Sequence, residues 1–250
     1  MYTLKKSLGQ HFLKDERILD DIVAELKKYP FKNLLEVGPG AGALTRYIKD
    51  LPGVDFKAVE LDKEKVDFLI KNYPDLESKL IHKDFLHIEP PFTGEFIVIG
   101  NFPYNISTQI LFKLLEWKDQ VPVIIGMFQK EVAERVAAAP GSKTYGVTSA
   151  LIQPFYEIKY LFDVPPEAFN PPPKVVSGVI SLIRKTEILD VRSEKHYKML
   201  VKTAFNQRRK TMRNSVKGLF SQEILSDEIF QRRPETLAIE EFAALTFKMN

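Results

Sequence analysis

The 250-residue chain contains no cysteine, which excludes disulfides, thiolate metal ligands and a cysteine nucleophile together. Histidine is scarce. The four that occur are scattered, with no H-x-x-x-H or similar spacing, so a metal centre is not expected. No apolar run approaches the ~18 residues of a membrane span, and the start of the chain has no signal-type apolar stretch. The expectation is a soluble cytoplasmic protein without metal or membrane partners. Charge of one sign is also missing in bulk, since 36 Lys and Arg face 33 Asp and Glu. What is there is 44% hydrophobic residues, enough for a real core, on a length that allows one large domain or a large one with a small appendage.

The small net charge hides an uneven distribution. From Arg192 to Lys217 there are nine Lys or Arg and one acidic residue, Glu194. A patch of this kind is the electrostatic footprint of a polyanion, although a solvated helix face is the usual fate of a charge run. Arg208, Arg209, Lys210 and Arg213 crowd one turn without carboxylates, so phosphates would relieve their mutual repulsion.

Periodicity organises the chain. Asp15 can cap a helix whose Ile18, Leu19, Ile22, Val23 and Leu26 form an apolar stripe. Strands near 33, 55, 79, 95 and 121 alternate with helices to about Ala139, the pattern of a parallel sheet covered on both faces. Pro140-Gly141-Ser142 interrupts it. Two more strands are expected, Leu151 to Phe162 and Val175 to Ile183, separated by the proline-dense stretch Pro165 to Pro173. From about Ser193 the pattern is helical, near 194–205, 208–218, 221–230 and 238–247. The expected division is an α/β domain over 1–185 and a small all-helical domain over 186–250.

Two constellations carry chemistry. The buried strand Asn33-Leu34-Leu35-Glu36-Val37 runs into Gly38-Pro39-Gly40-Ala41-Gly42-Ala43 and then a helical segment, a turn that lets backbone approach a ligand closely. Glu60 ends the next strand, where a carboxylate can accept from ribose hydroxyls. Gly38 to Ala43 also fits G-x-G-x-x-A, with Glu60 twenty-two residues past Gly38, so the loop alone leaves NAD and S-adenosylmethionine both open. The second constellation is Asn101-Phe102-Pro103-Tyr104, directly after the apolar run Phe96 to Gly100. In an open α/β sheet, ligands bind beyond the carboxyl ends of the strands. Pro103 biases Phe102 toward extended backbone and fixes its carbonyl as an acceptor beside the Asn101 amide oxygen. An exocyclic amine offers two N–H donors to match, and Tyr104 can stack on the ring that carries it. A turn that merely caps the helix starting near Ile106 accounts for the same tetrapeptide.

The combination of Glu36, the glycine turn, Glu60, Asp84 after a third strand and Asn101-Phe102-Pro103-Tyr104 after a fourth resembles the S-adenosylmethionine-dependent N6-adenine methyltransferases. More closely, the chain resembles the small-subunit ribosomal RNA adenine dimethyltransferases. That resemblance covers nearly the whole chain, from Ser7-Leu8-Gly9-Gln10-His11-Phe12-Leu13 through Glu36 to Gly40, Val59-Glu60-Leu61-Asp62 and Asn101 to Ser107. It continues through Phe169-Asn170-Pro171-Pro172-Pro173-Lys174-Val175 and ends in Ala204-Phe205-Asn206-Gln207-Arg208-Arg209-Lys210.

The resemblance implies a Rossmann-like methyltransferase sheet with helices on both faces and a C-terminal helical domain. It also implies dimethylation of two neighbouring adenosines near the 3′ end of small-subunit ribosomal RNA, in a partly assembled subunit. His11 and Leu13 would contact S-adenosylmethionine, Gly38 would approach its methionine end, Glu60 would bind its ribose and Asp84 its adenine amine. Asn101 would touch both cofactor and target amine, and Phe102 would offer its carbonyl. Tyr104 and Phe169 would receive the base, with Phe169 closing from the far side. Taken alone, His11 reads as a surface histidine, Asp84 as a turn cap and Phe169 as an apolar plug. One departure is Phe102, where such relatives more often carry leucine or another aliphatic residue. A bulkier ring can narrow the space beside the amine, which bears on the second methylation. The rivals are a large-subunit methyltransferase of the antibiotic-resistance type, a non-enzymatic nucleic-acid binding factor on the same fold, and a NAD oxidoreductase, which leaves Asn101 to Tyr104 unexplained.

Overall fold

Leu34, Leu35, Glu36 and Val37 are all buried in succession, and a strand covered on both faces belongs in the middle of a sheet rather than at its edge. The computed structural model, which describes residues 12–207 and 209–250, places it there. The strands are β1 (Phe12–Leu13), β2 (Asn33–Val37), β3 (Asp55–Glu60), β4 (Leu80–His82), β5 (Ile97–Asn101), β6 (Val123–Gln129), β7 (Tyr156–Val164), β8 (Phe169–Asn170) and β9 (Ser177–Arg184). Seven of them form one sheet in the order β4-β3-β2-β5-β6-β9-β7.

From β2 the chain builds outward through β3 to β4, then returns to lay β5 on the other side of β2 and β6 beyond it. All four of these pairings are parallel. The order therefore reverses between β2 and β5, and the crevice at such a switch point is where an open α/β sheet takes its ligand. The sheet is mixed rather than parallel throughout, because β9 runs antiparallel to β6, with Gln129 opposite Ser177. That reversal brings the start of β9 to the same edge as the carboxyl ends of β5 and β6. A separate two-stranded ribbon pairs β1 with β8, Leu13 opposite Phe169.

The helices are α1 (Glu16–Leu26), α2 (Thr45–Ile48), α3 (Lys63–Asn72), α4 (Ser107–Glu116), α5 (Lys130–Ala137), α6 (Val147–Ile152), α7 (Glu194–Phe205), α8 (Met212–Ser215) and α9 (Ile239–Thr246). Asp15 caps α1 as expected, its side chain accepting from the Arg17 N–H at 3.1 Å, and Leu19, Ile22, Val23 and Leu26 are buried.

The chain divides into two compact units, 1–133 with 159–184, and 134–158 with 185–250. One division falls between 184 and 185, and the second unit also takes in 134–158. The reason is α6. Leu151 and Ile152, expected to open a strand, belong to this helix, whose Thr148 to Ile152 are all buried. An apolar run this short reads alike as strand or buried helix, and here the Ser149 hydroxyl, accepting from the Gly146 N–H at 3.2 Å, starts a helix. The helix packs on α7, where the Tyr197 hydroxyl donates to the Ala150 carbonyl at 2.9 Å. Phe205 stands between Tyr145 and Phe242, its ring centroid 6.0 Å from each.

Further along the second unit the helical pattern breaks into pieces. Of the helix expected over 208–218, the described part is the single turn α8, where Met212 N–H donates to the Arg232 carbonyl and Asn214, Ser215 and Gly218 are weak helix formers. The helix expected over 221–230 is two 3₁₀ turns, Ile224–Ser226 and Glu228–Gln231, interrupted where Asp227 caps the second by accepting from Ile229 N–H.

Candidate active site

The glycine turn follows β2 directly. Gly38 has φ +71° and Gly40 +61°, backbone that a side chain resists. A Cβ on Gly38 would stand 3.4 Å from Pro103 Cδ, so the turn after β2 and the turn after β5 close on each other across the switch point. Pro103 belongs to the second motif.

Glu60 ends β3 as a buried carboxylate. Its Oε1 accepts from Leu61 N–H at 3.0 Å and Asp62 N–H at 2.9 Å, and its Oε2 accepts from Gly40 N–H at 3.1 Å. The carboxylate thereby ties the end of β3 to the glycine turn. Asp62 then caps α3 by accepting from Glu64 N–H at 3.0 Å. Asp84 acts as the cap of a 3₁₀ turn, Phe85–His87, accepting from Leu86 N–H at 2.9 Å with its Oδ2 3.0 Å from His87 Nδ1. The cap does not remove it from the cleft. Gly38, Glu60 and Asp84 line one concave space, open to solvent on one side, with apolar surface from Leu61, Phe85 and Ile106. Leu61, 54% exposed, supplies an apolar face that sequence reasoning missed, because a lone leucine after a strand carries no local signal.

Glu36, one residue before the end of β2, is 2% exposed. Burial pushes its carboxyl up to about 8; the nearby Thr45 hydroxyl holds it down somewhat and the Glu60 charge raises it further. Among the described residues, neither Glu36 Oε2 nor Thr45 Oγ1 closes a hydrogen bond.

At the end of β5, Asn101 lies opposite Met127, and Phe102 N–H donates to the Met127 carbonyl at 3.2 Å. The Asn101 carbonyl lies 3.8 Å from where a Gly38 Cβ would be, which puts Asn101 beside the glycine turn, although it does not line the cleft itself. The Phe102 ring is fully buried, edge-on to Phe128 at 5.1 Å. It occupies the space that missing side chains leave at Gly100 and Gly126, where added Cβ atoms would stand 2.8 and 2.5 Å from it. The ring thus packs against the sheet rather than into solvent.

Tyr104 is half-buried, its hydroxyl sharing a 2.5 Å hydrogen bond with Ser177 Oγ at the start of β9. Burial pushes the phenol up, opposed by the Ser177 bond. Ser177 went unnoticed in the sequence because only the antiparallel β9 brings it here. Phe169 is not among the residues that line this cleft. It is 1% exposed and packs in the same apolar cluster as its partner Leu13. Burial of Leu13 and Phe169, which lie opposite each other across the ribbon, fixes both side chains inward. His11 and Arg208 lie outside the described residues.

In the second unit Arg209, Lys210 and Arg213 are exposed. Arg192, at the start of the basic run, is instead used internally, its guanidinium donating to the Met249 carbonyl at 2.7 Å. Among the described residues no cluster of three or more His, Asp or Glu could hold a metal ion, and no helix is long and apolar enough to cross a membrane.

The ribosomal RNA adenine dimethylase family model matches residues 1–244. The chain belongs to that family. Ribosomal RNA small subunit methyltransferase A of Flavobacterium johnsoniae is 51% identical over 249 residues, 98% of this chain and 95% of that protein. The protein of the same name from Parabacteroides distasonis is 50% identical over 246 residues, 97% of this chain and 92% of its own. Among solved structures, a dimethyladenosine transferase from Plasmodium falciparum superposes with a TM-score of 0.76 at 25% identity, covering 93% of this chain and 94% of that one.

The dimethylase family uses S-adenosylmethionine, and the residues present fit it. The glycine turn leaves backbone bare where a Cβ would fill the gap to Pro103. Glu60 still has acceptor capacity on Oε2 after taking the Gly40 N–H. Apolar surface for a purine lies between them and Asp84.

Proposed function

We propose that this dimethylase-family protein transfers methyl groups from S-adenosylmethionine to N6 of two adjacent adenosines in small-subunit ribosomal RNA. The observation that supports the reading is a crevice at the switch point lined by Gly38, Glu60 and Asp84, with Pro103 of the Asn101–Tyr104 turn on its wall. About 50% identity to small-subunit enzymes along nearly the full chain supports that subunit over the large one. When bound, the cofactor supplies an electrophilic methyl group on a positively charged sulfur.

The protein's own residues bind and align. Glu60 accepts from ribose hydroxyls, Asp84 from the adenine amine, Gly38 lets backbone approach the methionine end, and Leu61 and Ile106 offer apolar surface to the purine. His11 completes the cofactor contacts; Leu13, whose side chain is buried in the apolar cluster, reaches the cofactor only through its backbone. The lone pair of adenine N6 is delocalised into its ring, so the amine is a weak nucleophile. The Asn101 amide oxygen and the Phe102 carbonyl accept its two N–H bonds, which favours a pyramidal nitrogen and stabilises the positive charge that develops there. The base must leave its stack to reach them. Tyr104 receives one face, oriented by Ser177. For Phe169 to close on the other face, its segment has to move from the buried position it holds here.

The second unit holds RNA phosphates through Arg208, Arg209, Lys210 and Arg213, and the protein works in the cytoplasm on a partly assembled small subunit. Incubation with methyl-labelled S-adenosylmethionine and either ribosomal subunit lacking the modification tests this. Label is expected as N6-dimethyladenosine in small-subunit RNA. Label in large-subunit RNA, or none, contradicts the reading.

A further inference from the structure

The three lysines of α3 do not behave alike. Lys63 and Lys71 are exposed, as long amphipathic side chains on a helix surface usually are. Lys65 instead lines the cleft, its side chain only 12% exposed, and its ammonium stops 3.9 Å from Glu60 Oε2. That separation is too long for an N–H···O hydrogen bond.

The acceptor count of Glu60 gives the gap a meaning. Two backbone N–H groups occupy Oε1, and one, from Gly40, occupies Oε2. A carboxylate oxygen has about two acceptor sites, so Oε2 keeps one for a donor on the side where Lys65 ends. A group filling this gap must accept from an ammonium and donate to a carboxylate at the same moment. A hydroxyl does both; a phosphate or carboxylate can only accept, and an amine lacks a free lone pair when protonated.

We propose that Lys65 is a cofactor-binding residue, and that a ribose hydroxyl of S-adenosylmethionine sits between its ammonium and the Glu60 carboxylate. The hydroxyl accepts from Lys65 and donates to Glu60. This rests on the cleft binding that cofactor. It adds to the acceptor supplied by Glu60 a donor on the opposite side, so the hydroxyl is recognised in both of its hydrogen-bonding roles. It also selects against a ribose carrying a phosphate, which would meet Glu60 with like charge.

Calorimetry with S-adenosylhomocysteine and its 2′-deoxy and 3′-deoxy ribose analogues tests the proposal without turnover. Lys65→Met is expected to weaken S-adenosylhomocysteine about 10-fold or more, the scale for one charge-assisted hydrogen bond. Lys65→Gln, which keeps a donor but not the charge, falls between. The wild-type protein is expected to lose affinity for one deoxy analogue by a similar factor, and Lys65→Met to lose most of that discrimination. Small-subunit binding is expected to stay at wild-type values in both variants, which shows that they remain folded. Equal affinity of Lys65→Met and wild type, or undiminished discrimination in the variant, overturns the proposal while leaving the cofactor reading intact. Failure of the wild-type protein to bind S-adenosylhomocysteine at all overturns both.

Discussion

Glu36→Gln is expected to remove a pH dependence of stability that a carboxylate inside the sheet imposes. Glu36 lies on β2 between Ala58 of β3 and Ile99 of β5, 2% exposed, with Oε2 unpaired. In the unfolded chain it ionises near 4.5, and in the folded protein near 8. Between these values the unfolded state binds fewer protons than the folded one, so stability falls as pH rises, and levels off above about 8. At ~1.4 kcal/mol per pH unit, the full gap from 4.5 to about 8 sets a ceiling of about 5 kcal/mol. Relaxation and water entry reduce this, so a loss of a few kcal/mol between pH 5 and 8 is expected in the wild type.

Glutamine keeps the shape and cannot ionise. The difference between variant and wild type therefore grows in favour of the variant from pH 5 to pH 8. Urea titrations at several pH values, followed by the single tryptophan, Trp117, report on the unit that contains Glu36. Groups other than Glu36 cancel in the difference. A pH-independent difference, or one that favours the wild type as pH rises, refutes the reasoning.

Other outcomes follow from the same geometry. Gly126→Ala places a methyl 2.5 Å from Phe102 Cε2 and 2.6 Å from Phe128 Cε2. It is expected to destabilise by about 1–3 kcal/mol, with partial relief from Phe102→Leu in a double variant measured by chemical unfolding. Tyr104→Phe leaves the buried Ser177 hydroxyl without its tyrosine partner, for a loss of about 1–3 kcal/mol in stability. Its methyl-transfer rate is expected to stay well above that of Tyr104→Ala, because the stacking ring survives. Removing charge at Arg208, Arg209, Lys210 and Arg213 together is expected to flatten the slope of log affinity for small subunits against log salt by about 3, at roughly 0.7–0.9 per phosphate contact. Filter binding across salt concentrations reads it, and cofactor affinity stays unchanged because no cofactor residue lies in that segment.

Local chemistry was the legible part of this chain. The turn at Gly38 is visible in sequence because positive φ demands glycine there, and Asp15 announces its helix by the same kind of short-range rule. Strand-ending positions of Glu60, Asp84 and Asn101 could be read from apolar runs and their stops. Long-range pairing was not legible. The antiparallel entry of β9, which delivers Ser177 to Tyr104, depends on the register of β6, and no residue near Ser177 signals it. The direction a ring points was equally hidden. Phe102 turns inward because Gly100 and Gly126 leave room for it on two neighbouring strands, and Phe169 because β8 pairs with β1. Lys65 escaped for a related reason: only the phase of α3 relative to the end of β3 aims it at the cleft. α6 was misread because a buried one-and-a-half-turn helix and a buried strand leave the same apolar trace.

The alignment of the target amine by Asn101 is the central claim, and Asn101→Ala tests it most directly. Initial rates of dimethyladenosine formation on unmodified small subunits, at saturating cofactor, are expected to fall about 100-fold or more, the scale for losing a group that stabilises charge developing in the transition state. Small-subunit binding by the same variant is expected to remain near that of the wild type, because the amide acts on N6 and not on the RNA backbone. Dimethylation at a near-normal rate by Asn101→Ala would contradict the account.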